Sequence, residues 1–117
     1  MLVVEDDVST QRGIIKLLAV LQYEASGVAS AAAAVAEVRK RLPHVVLSDF
    51  LLPEFDALWL LRHLRAEWPD LPVILTTGAI LSESSLEEAQ KFGSVEFLAK
   101  PFTREELDRA LRRAIPA

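Results

Sequence analysis

An acidic run, Glu5-Asp6-Asp7, a single carboxylate at Asp49, a pair of hydroxyls at Thr76-Thr77 and an amine at Lys100 are the side chains of this sequence best suited to reactive chemistry. Carboxylates gathered in one place repel one another, and burial raises their pKa values unless a cation compensates. Clustered oxygen donors of this kind suit Mg2+, which keeps several waters and binds through one or two carboxylates together with a phosphate-type ligand. With a lysine and a hydroxyl opposite, such a cluster is built for a phosphoryl group. Asp49 is the best-placed nucleophile, because a carboxylate attacking phosphorus gives an acyl phosphate. Mg2+ and Lys100 would neutralise charge on the equatorial oxygens, and Thr77 would donate a hydrogen bond to one of them. Taken singly, each residue has a plainer reading: Asp49 as a loop aspartate capping a helix, Thr77 as a strand-end hydroxyl, Lys100 as a solvated lysine. The chemistry therefore requires a fold that brings them together.

The elements that must do so follow from the hydrophobic pattern. Val45-Val46-Leu47 is apolar without alternation and lies between Pro43 and Pro53, so a strand over Val45–Ser48 reads as buried on both faces, with Asp49 at its carboxyl end. Leu2-Val3-Val4 is another such strand, and it too ends on acids. Ser9 or Thr10 is placed to cap a helix through about Leu21, with Ile14, Leu17, Leu18 and Leu21 on one face. Tyr23–Val28 is less apolar and contains Gly27, which suits an edge strand. Ser30 opens an alanine-rich helix to about Leu42, and Pro43 stops it. A helix over Asp56–Trp68 carries Ala57, Leu60, Leu61, Leu64 and Trp68 on one face. Strands over Leu71–Thr77 and Val95–Ala99 flank a helix whose capping box pairs Ser84 or Ser85 with Glu87 or Glu88, and which Gly93 terminates. Thr103 with Glu106 is a second capping box, opening a last helix striped by Leu107, Ala110, Leu111 and Ala114.

Five strands alternating with five helices, the inner strands apolar throughout, predict an α/β fold: a doubly wound parallel sheet covered on both faces. Right-handed crossovers and an edge-like second strand favour the order 2-1-3-4-5. In that order the first and third strands are neighbours at the switch point. Glu5-Asp6-Asp7 and Asp49 then converge on one crevice, with Thr76, Thr77 and Lys100 leaving the same edge of the sheet.

Composition narrows the possibilities. A chain of 117 residues supports one core, so residues 1–117 read as one domain. Hydrophobic residues at 51%, well mixed with charge, make it globular, and a net charge of -4 argues against a nucleic-acid-binding surface. The absence of cysteine excludes disulfides, thiolate metal sites and cysteine nucleophiles. Charge interrupts every apolar run well before the roughly 18 residues of a membrane span, and no export leader opens the chain. A soluble protein without direct membrane contact is expected.

Leu2-Val3-Val4-Glu5-Asp6-Asp7, Leu47-Ser48-Asp49 with Pro53, Pro72-Val73-Ile74-Leu75-Thr76-Thr77-Gly78 and Phe97-Leu98-Ala99-Lys100-Pro101-Phe102 together resemble the motif set of the response-regulator receiver domain of two-component signalling. The match runs through essentially the whole chain, in order and at the family's spacings. It implies a flavodoxin-like fold and a signalling role rather than an enzyme. It further implies transfer of a phosphoryl group, with Mg2+, from a histidine kinase or phosphotransfer protein to Asp49, and a downstream effector or output domain. Cytoplasmic location follows from that partnership. Position by position, Asp49 resembles the phosphoacceptor, and Glu5 and Asp6 the acidic pair, with Asp6 the more direct metal ligand. Asp49 and the Leu51 backbone carbonyl complete the metal set the resemblance implies. Thr77 and Lys100 resemble the hydroxyl and amine that contact the phosphoryl group. Thr77, Phe97 and Pro101 resemble switch positions, the Lys100-Pro101 bond being cis in the family.

The chain departs from the family pattern at Ala57, where glycine is common, so strain is expected there if the position needs positive φ. Which acids serve the metal rests on the resemblance alone, with Asp7 as the bystander. Around the route of a hydrolytic water, the resemblance places the side chains two residues after the phosphoacceptor and after the active-site threonine, here Leu51 and Ala79. Neither offers a polar group, which predicts a phosphoryl group slow to hydrolyse unless Ser82 or Glu83 substitutes. Trp59 falls on the helix face opposite Leu61 and Leu64, as an exposed contact residue or packed locally on Arg62 or His63. A rival reading, a binding module of this fold that is never phosphorylated, is disfavoured by the intact acids and Lys100. A flavin carrier would need a Ser/Thr/Gly-rich loop after the first strand.

Overall fold

The computed structural model describes residues 1–78, 82–93 and 95–116. Strands β1 (Leu2–Val4), β2 (Ser26–Val28), β3 (Val46–Asp49), β4 (Val73–Thr77) and β5 (Val95–Ala99) alternate with helices α1 (Val8–Val20), α2 (Ala31–Lys40), α3 (Ala57–Glu67), α4 (Glu83–Gln90) and α5 (Arg104–Ala114). The strands form one parallel sheet in the order β2-β1-β3-β4-β5, the flavodoxin-like arrangement that the sequence pattern predicts.

Both faces of the sheet are covered, which is why the central strands can be apolar at every position. Leu2 and Val4 of β1, Val46 of β3, and Val73 and Leu75 of β4 pack with α2 and α3 through Val35, Val38, Leu60, Leu61 and Leu64. Val3, Leu47 and Ile74 point the other way, onto Ile14 and Leu18 of α1 and Leu107 and Leu111 of α5. Leu18, Leu60, Leu61, Leu64, Leu107 and Leu111 are fully buried, each side chain contributing roughly 1.5–3 kcal/mol of transfer free energy.

Several boundaries differ from the sequence pattern. Asp7, not Ser9 or Thr10, caps α1: its Oδ1 accepts from Ser9 N at 3.2 Å and its Oδ2 from Thr10 Oγ1 at 2.8 Å. Three capping residues stand within four positions, and the acid leaving β1 takes the role first. Ser82 rather than Ser84 or Ser85 caps α4, its hydroxyl accepting from Ser85 N. No capping box from Glu87 or Glu88 is involved, whereas the Thr103–Glu106 box of α5 forms in full. β2 begins at Ser26 because Tyr23 N still bonds back to Leu18 O, and Gln22 turns the chain with φ 69°. α2 stops at Lys40, since Arg41 is already extended ahead of Pro43. β3 lies one residue later than expected, so Asp49 is itself the last paired residue, opposite Thr76. β4 begins at Val73.

Ala57 is fully buried and opens α3 behind the Asp56 cap. Among the described non-glycine residues, positive φ falls at Gln22 and Glu54, so the strain considered for Ala57 is not present there. Gly93, at φ 92°, ends the α4 segment as expected. Trp59 is half-buried rather than exposed: its ring stacks on Phe55 at 4.3 Å and on His63 at 3.9 Å between centroids. The local packing on His63 considered for Trp59 is present, with Phe55 as a further partner that helical periodicity does not reveal. Among the described residues no helix is long and apolar enough to cross a membrane.

Candidate functional site

The carboxyl ends of β1, β3, β4 and β5 deliver the reactive side chains to one edge of the sheet. Glu5 follows β1, Asp49 closes β3, Thr77 closes β4 and Lys100 follows β5. Backbone bonds hold this edge in register: Phe50 N donates to Thr76 O at 2.8 Å, and Lys100 N to Thr77 O at 2.8 Å. Beneath it Ser48 and Thr76 are buried, with Ser48 Oγ donating to Asp49 O at 2.9 Å and Thr76 Oγ1 to Ser48 O at 3.4 Å. Among the described residues no buried side-chain nitrogen or oxygen lacks a hydrogen-bond partner, as burial demands.

Glu5, Asp6 and Asp49 each present a carboxylate oxygen within 4.8 Å of the others. Their environments differ. Glu5 is only 3% exposed, while Asp6 faces solvent and Asp49 lies between. Lys100 Nζ donates to Glu5 Oε1 at 2.9 Å and stands 3.5 Å from Asp49 Oδ2. Partial burial would lower the Lys100 pKa, but the hydrogen bond to Glu5 and the charges of Asp49 and Glu5 outweigh it, and the net direction is upward. One ammonium thus pairs with two of three clustered carboxylates, and the surplus negative charge with an open Asp6 is the donor set a divalent oxygen-seeking cation fits.

The remaining expected residues are placed as follows. Asp7 points away from the cluster as the α1 cap, although its backbone N–H donates to Glu5 Oε2 at 3.3 Å. Leu51 is 61% exposed beside Asp49, in the loop that Ala57 N closes by bonding to Phe50 O. Phe97 is half-buried against the core that faces α3. Pro101 follows a cis peptide bond. Ala79 lies outside the described residues.

One residue of the site goes unnoticed in the sequence pattern. Gln11 Nε2 donates to Glu5 O at 3.0 Å and to Val28 O at 2.9 Å, tying the ends of β1 and β2 beneath the acidic pair. A glycine inside a strand often marks the close approach of another group, and Gly27 was the available signal.

A parallel five-stranded sheet with acids, a hydroxyl and a lysine at one carboxyl edge, beside its switch point, places these groups where doubly wound α/β proteins bind their ligands. The chain belongs to the response regulator receiver domain family, whose model matches residues 1–112. It is 33% identical over 111 residues to the C4-dicarboxylate transport transcriptional regulatory protein DctD of Rhizobium meliloti, covering 95% of this chain and 24% of that protein. Over 114 residues it is 32% identical to the transcriptional regulatory protein ZraR of Salmonella typhimurium, covering 97% of this chain and 26% of that one. The chain thus spans about a quarter of the length of these relatives. Among solved structures, the Vibrio cholerae chemotaxis protein CheY4 superposes with a TM-score of 0.89 at 25% identity, over 97% of this chain and 96% of that one. The receiver domain of the sensor histidine kinase PA1611 from Pseudomonas aeruginosa, solved with a magnesium ion coordinated in its active site cleft, has a TM-score of 0.87 at 33% identity. That match covers 99% of this chain and 96% of the other.

Proposed function

We propose that residues 1–117 act as a phosphorylation-controlled switch in which Asp49 accepts a phosphoryl group from a phosphohistidine of a partner kinase or phosphotransfer protein. The observation that carries this reading is the convergence of Glu5, Asp6, Asp49 and Lys100 at one sheet edge, with Lys100 reaching both Glu5 and Asp49. Asp49 attacks phosphorus in line with the departing imidazole nitrogen, so one P–O bond forms as the P–N bond breaks. Lys100 lies where it can follow the charge from the Asp49 carboxylate onto the phosphoryl oxygens, and Thr77 Oγ1 donates to one of them. Glu5, Asp6, Asp49 and the Leu51 carbonyl are the groups that would hold Mg2+, which supplies neutralisation of the phosphoryl oxygens when bound.

A cavity of about 500 Å³ lined by Thr10, Ile14, Gly78, Lys100, Pro101 and Phe102 opens beside Lys100 and suits docking of the donor's side chains. Phosphorylation then favours one of two arrangements of Thr77 and Phe97, and so changes the surface offered to an effector or output domain. Cytoplasmic location and a signalling rather than enzymatic role accompany this reading. The test is incubation with a small phosphodonor, with and without Mg2+, followed by intact mass measurement. One phosphoryl group should be gained only with Mg2+ and only when Asp49 is intact. Equal modification of Asp49→Asn, or of the metal-free protein, would refute it.

A further inference from the structure

We infer that Gln11 and Gly27 form a lock that sets the course of the Glu5–Asp6 segment, and thereby presents its carboxylates to the metal; this rests on the reading of that cluster as a Mg2+ site. Pairing between β1 and β2 ends at Val4 and Val28, and one further ladder bond runs from Glu5 N to Val28 O at 3.0 Å. Beyond that point the two strands part, since Ser30 is already the cap of α2. The peptide carbonyl joining Glu5 to Asp6 takes its hydrogen bond from Gln11 Nε2, at 3.0 Å, and the same nitrogen reaches Val28 O at 2.9 Å. Both hydrogens of the amide are used, so a side chain of α1 continues the sheet where the backbone of β2 leaves it. A carbonyl fixed in this way fixes the peptide plane, and with it the direction in which Asp6 leaves the sheet.

Gly27 is what leaves room for this. A Cβ there would lie 2.3 Å from both Cδ and Oε1 of Gln11 and 2.8 Å from its Cγ. No atom can stand so close, and the flexible glutamine side chain, rather than the strand, would give way. Gly27 has no positive φ, so its backbone conformation is open to any residue, and the three atoms nearest an added Cβ all belong to Gln11. A group that orients a metal ligand without touching the metal typically changes affinity by 10-fold or more when removed. Gln11 is a positioning residue by this account, and Gly27→Ala acts on the site only through it.

Gln11→Ala, Gly27→Ala and the double variant separate this from a structural role. Mg2+ affinity by calorimetry should fall on the order of tenfold in each single variant. It should fall no further in the double variant. In the metal-free proteins, amide hydrogen exchange over residues 5–8 should quicken in all three while the urea midpoint stays near that of the parent. Additive losses in the double variant, unchanged Mg2+ affinity, or unchanged exchange in residues 5–8 would each overturn the lock. Gln11→Ala alone decides the matter if Gly27→Ala does not fold. A parent that takes up no Mg2+ would instead refute the metal reading, and the exchange measurement would still show whether Gln11 governs the segment.

Discussion

The ammonium of Lys100 lies 2.9 Å from Oε1 of Glu5, a carboxylate only 3% exposed. Removing one partner of such a pair leaves the other charge buried and uncompensated, which costs more than the pair itself contributes. Lys100→Met should therefore destabilise the fold by about 1–3 kcal/mol, less than a deeply buried pair because Lys100 is 24% exposed. Adding Glu5→Gln should recover part of that loss. Urea unfolding of the two variants checks both expectations, and an unchanged Lys100→Met midpoint would sink them.

The same contact has a pH signature. The folded protein holds the Lys100 pKa above its ordinary 10.5, because the hydrogen bond to Glu5 and the charges of Asp49 and Glu5 outweigh burial. Its stabilisation is thus complete below about pH 10.5 and is lost as pH rises through the higher folded value. Unfolding free energy measured between pH 9 and 12, on the order of the range set by the lysine pKa, should fall more steeply in the parent than in Lys100→Met. Parallel curves would count against the assignment.

Asp6 and Asp7 adjoin in sequence but do different work. Asp6→Ala should cost Mg2+ affinity of tenfold or more, with phosphorylation falling in step. Asp7→Ala should instead lower stability by about 1 kcal/mol through loss of the α1 cap, leaving Mg2+ affinity within a few-fold of the parent. Calorimetric titration and thermal unfolding of both proteins distinguish the roles. A reversal of the two effects would exchange them.

Leu51 offers no hydrogen-bonding side chain at the approach to Asp49. Phospho-Asp49 should be long-lived, and Leu51→Asn should shorten its half-life by about tenfold, less than the roughly 10²–10⁴-fold of a fully aligned general acid or base because an amide only positions the water. Decay of the phosphorylated domain, followed by mass, provides the measure. A parent that decays as fast as the variant would show that water reaches the phosphorus by another route.

Arg65, near the end of α3, donates to Phe92 O and Leu71 O and so joins the loop after α4 to the loop before β4. Arg65→Met keeps the stem but orphans these carbonyls, at a cost of about 1–3 kcal/mol. A urea midpoint equal to that of the parent would mean that water satisfies them at no cost.

The sheet order and the convergence of Glu5, Asp6, Asp49 and Lys100 were legible because apolar strands end on charged residues, and a parallel sheet puts all those ends on one side. Caps were less legible. Asp7, Ser9 and Thr10 have similar intrinsic preference, and only the departure of the chain from β1 decides among them. Trp59 was misplaced for a related reason: helical periodicity assigns a face but cannot see Phe55 folding beneath it from the preceding loop. Gln11 was missed because a polar residue near a helix start looks solvated, whereas here it replaces a missing strand bond.

Glu5 and Lys100 are separated by 95 positions in the chain, with Asp49 near the middle. During synthesis Asp49 leaves the ribosome well before Lys100, because β5 is the last of the five strands in chain order. A chain arrested before Val95 carries Asp49 but lacks Lys100 and the strand that seats it. The cation that balances the acidic edge is thus supplied by the strand furthest along the chain, so the carboxylates of Glu5 and Asp49 stay uncompensated until β5 is seated.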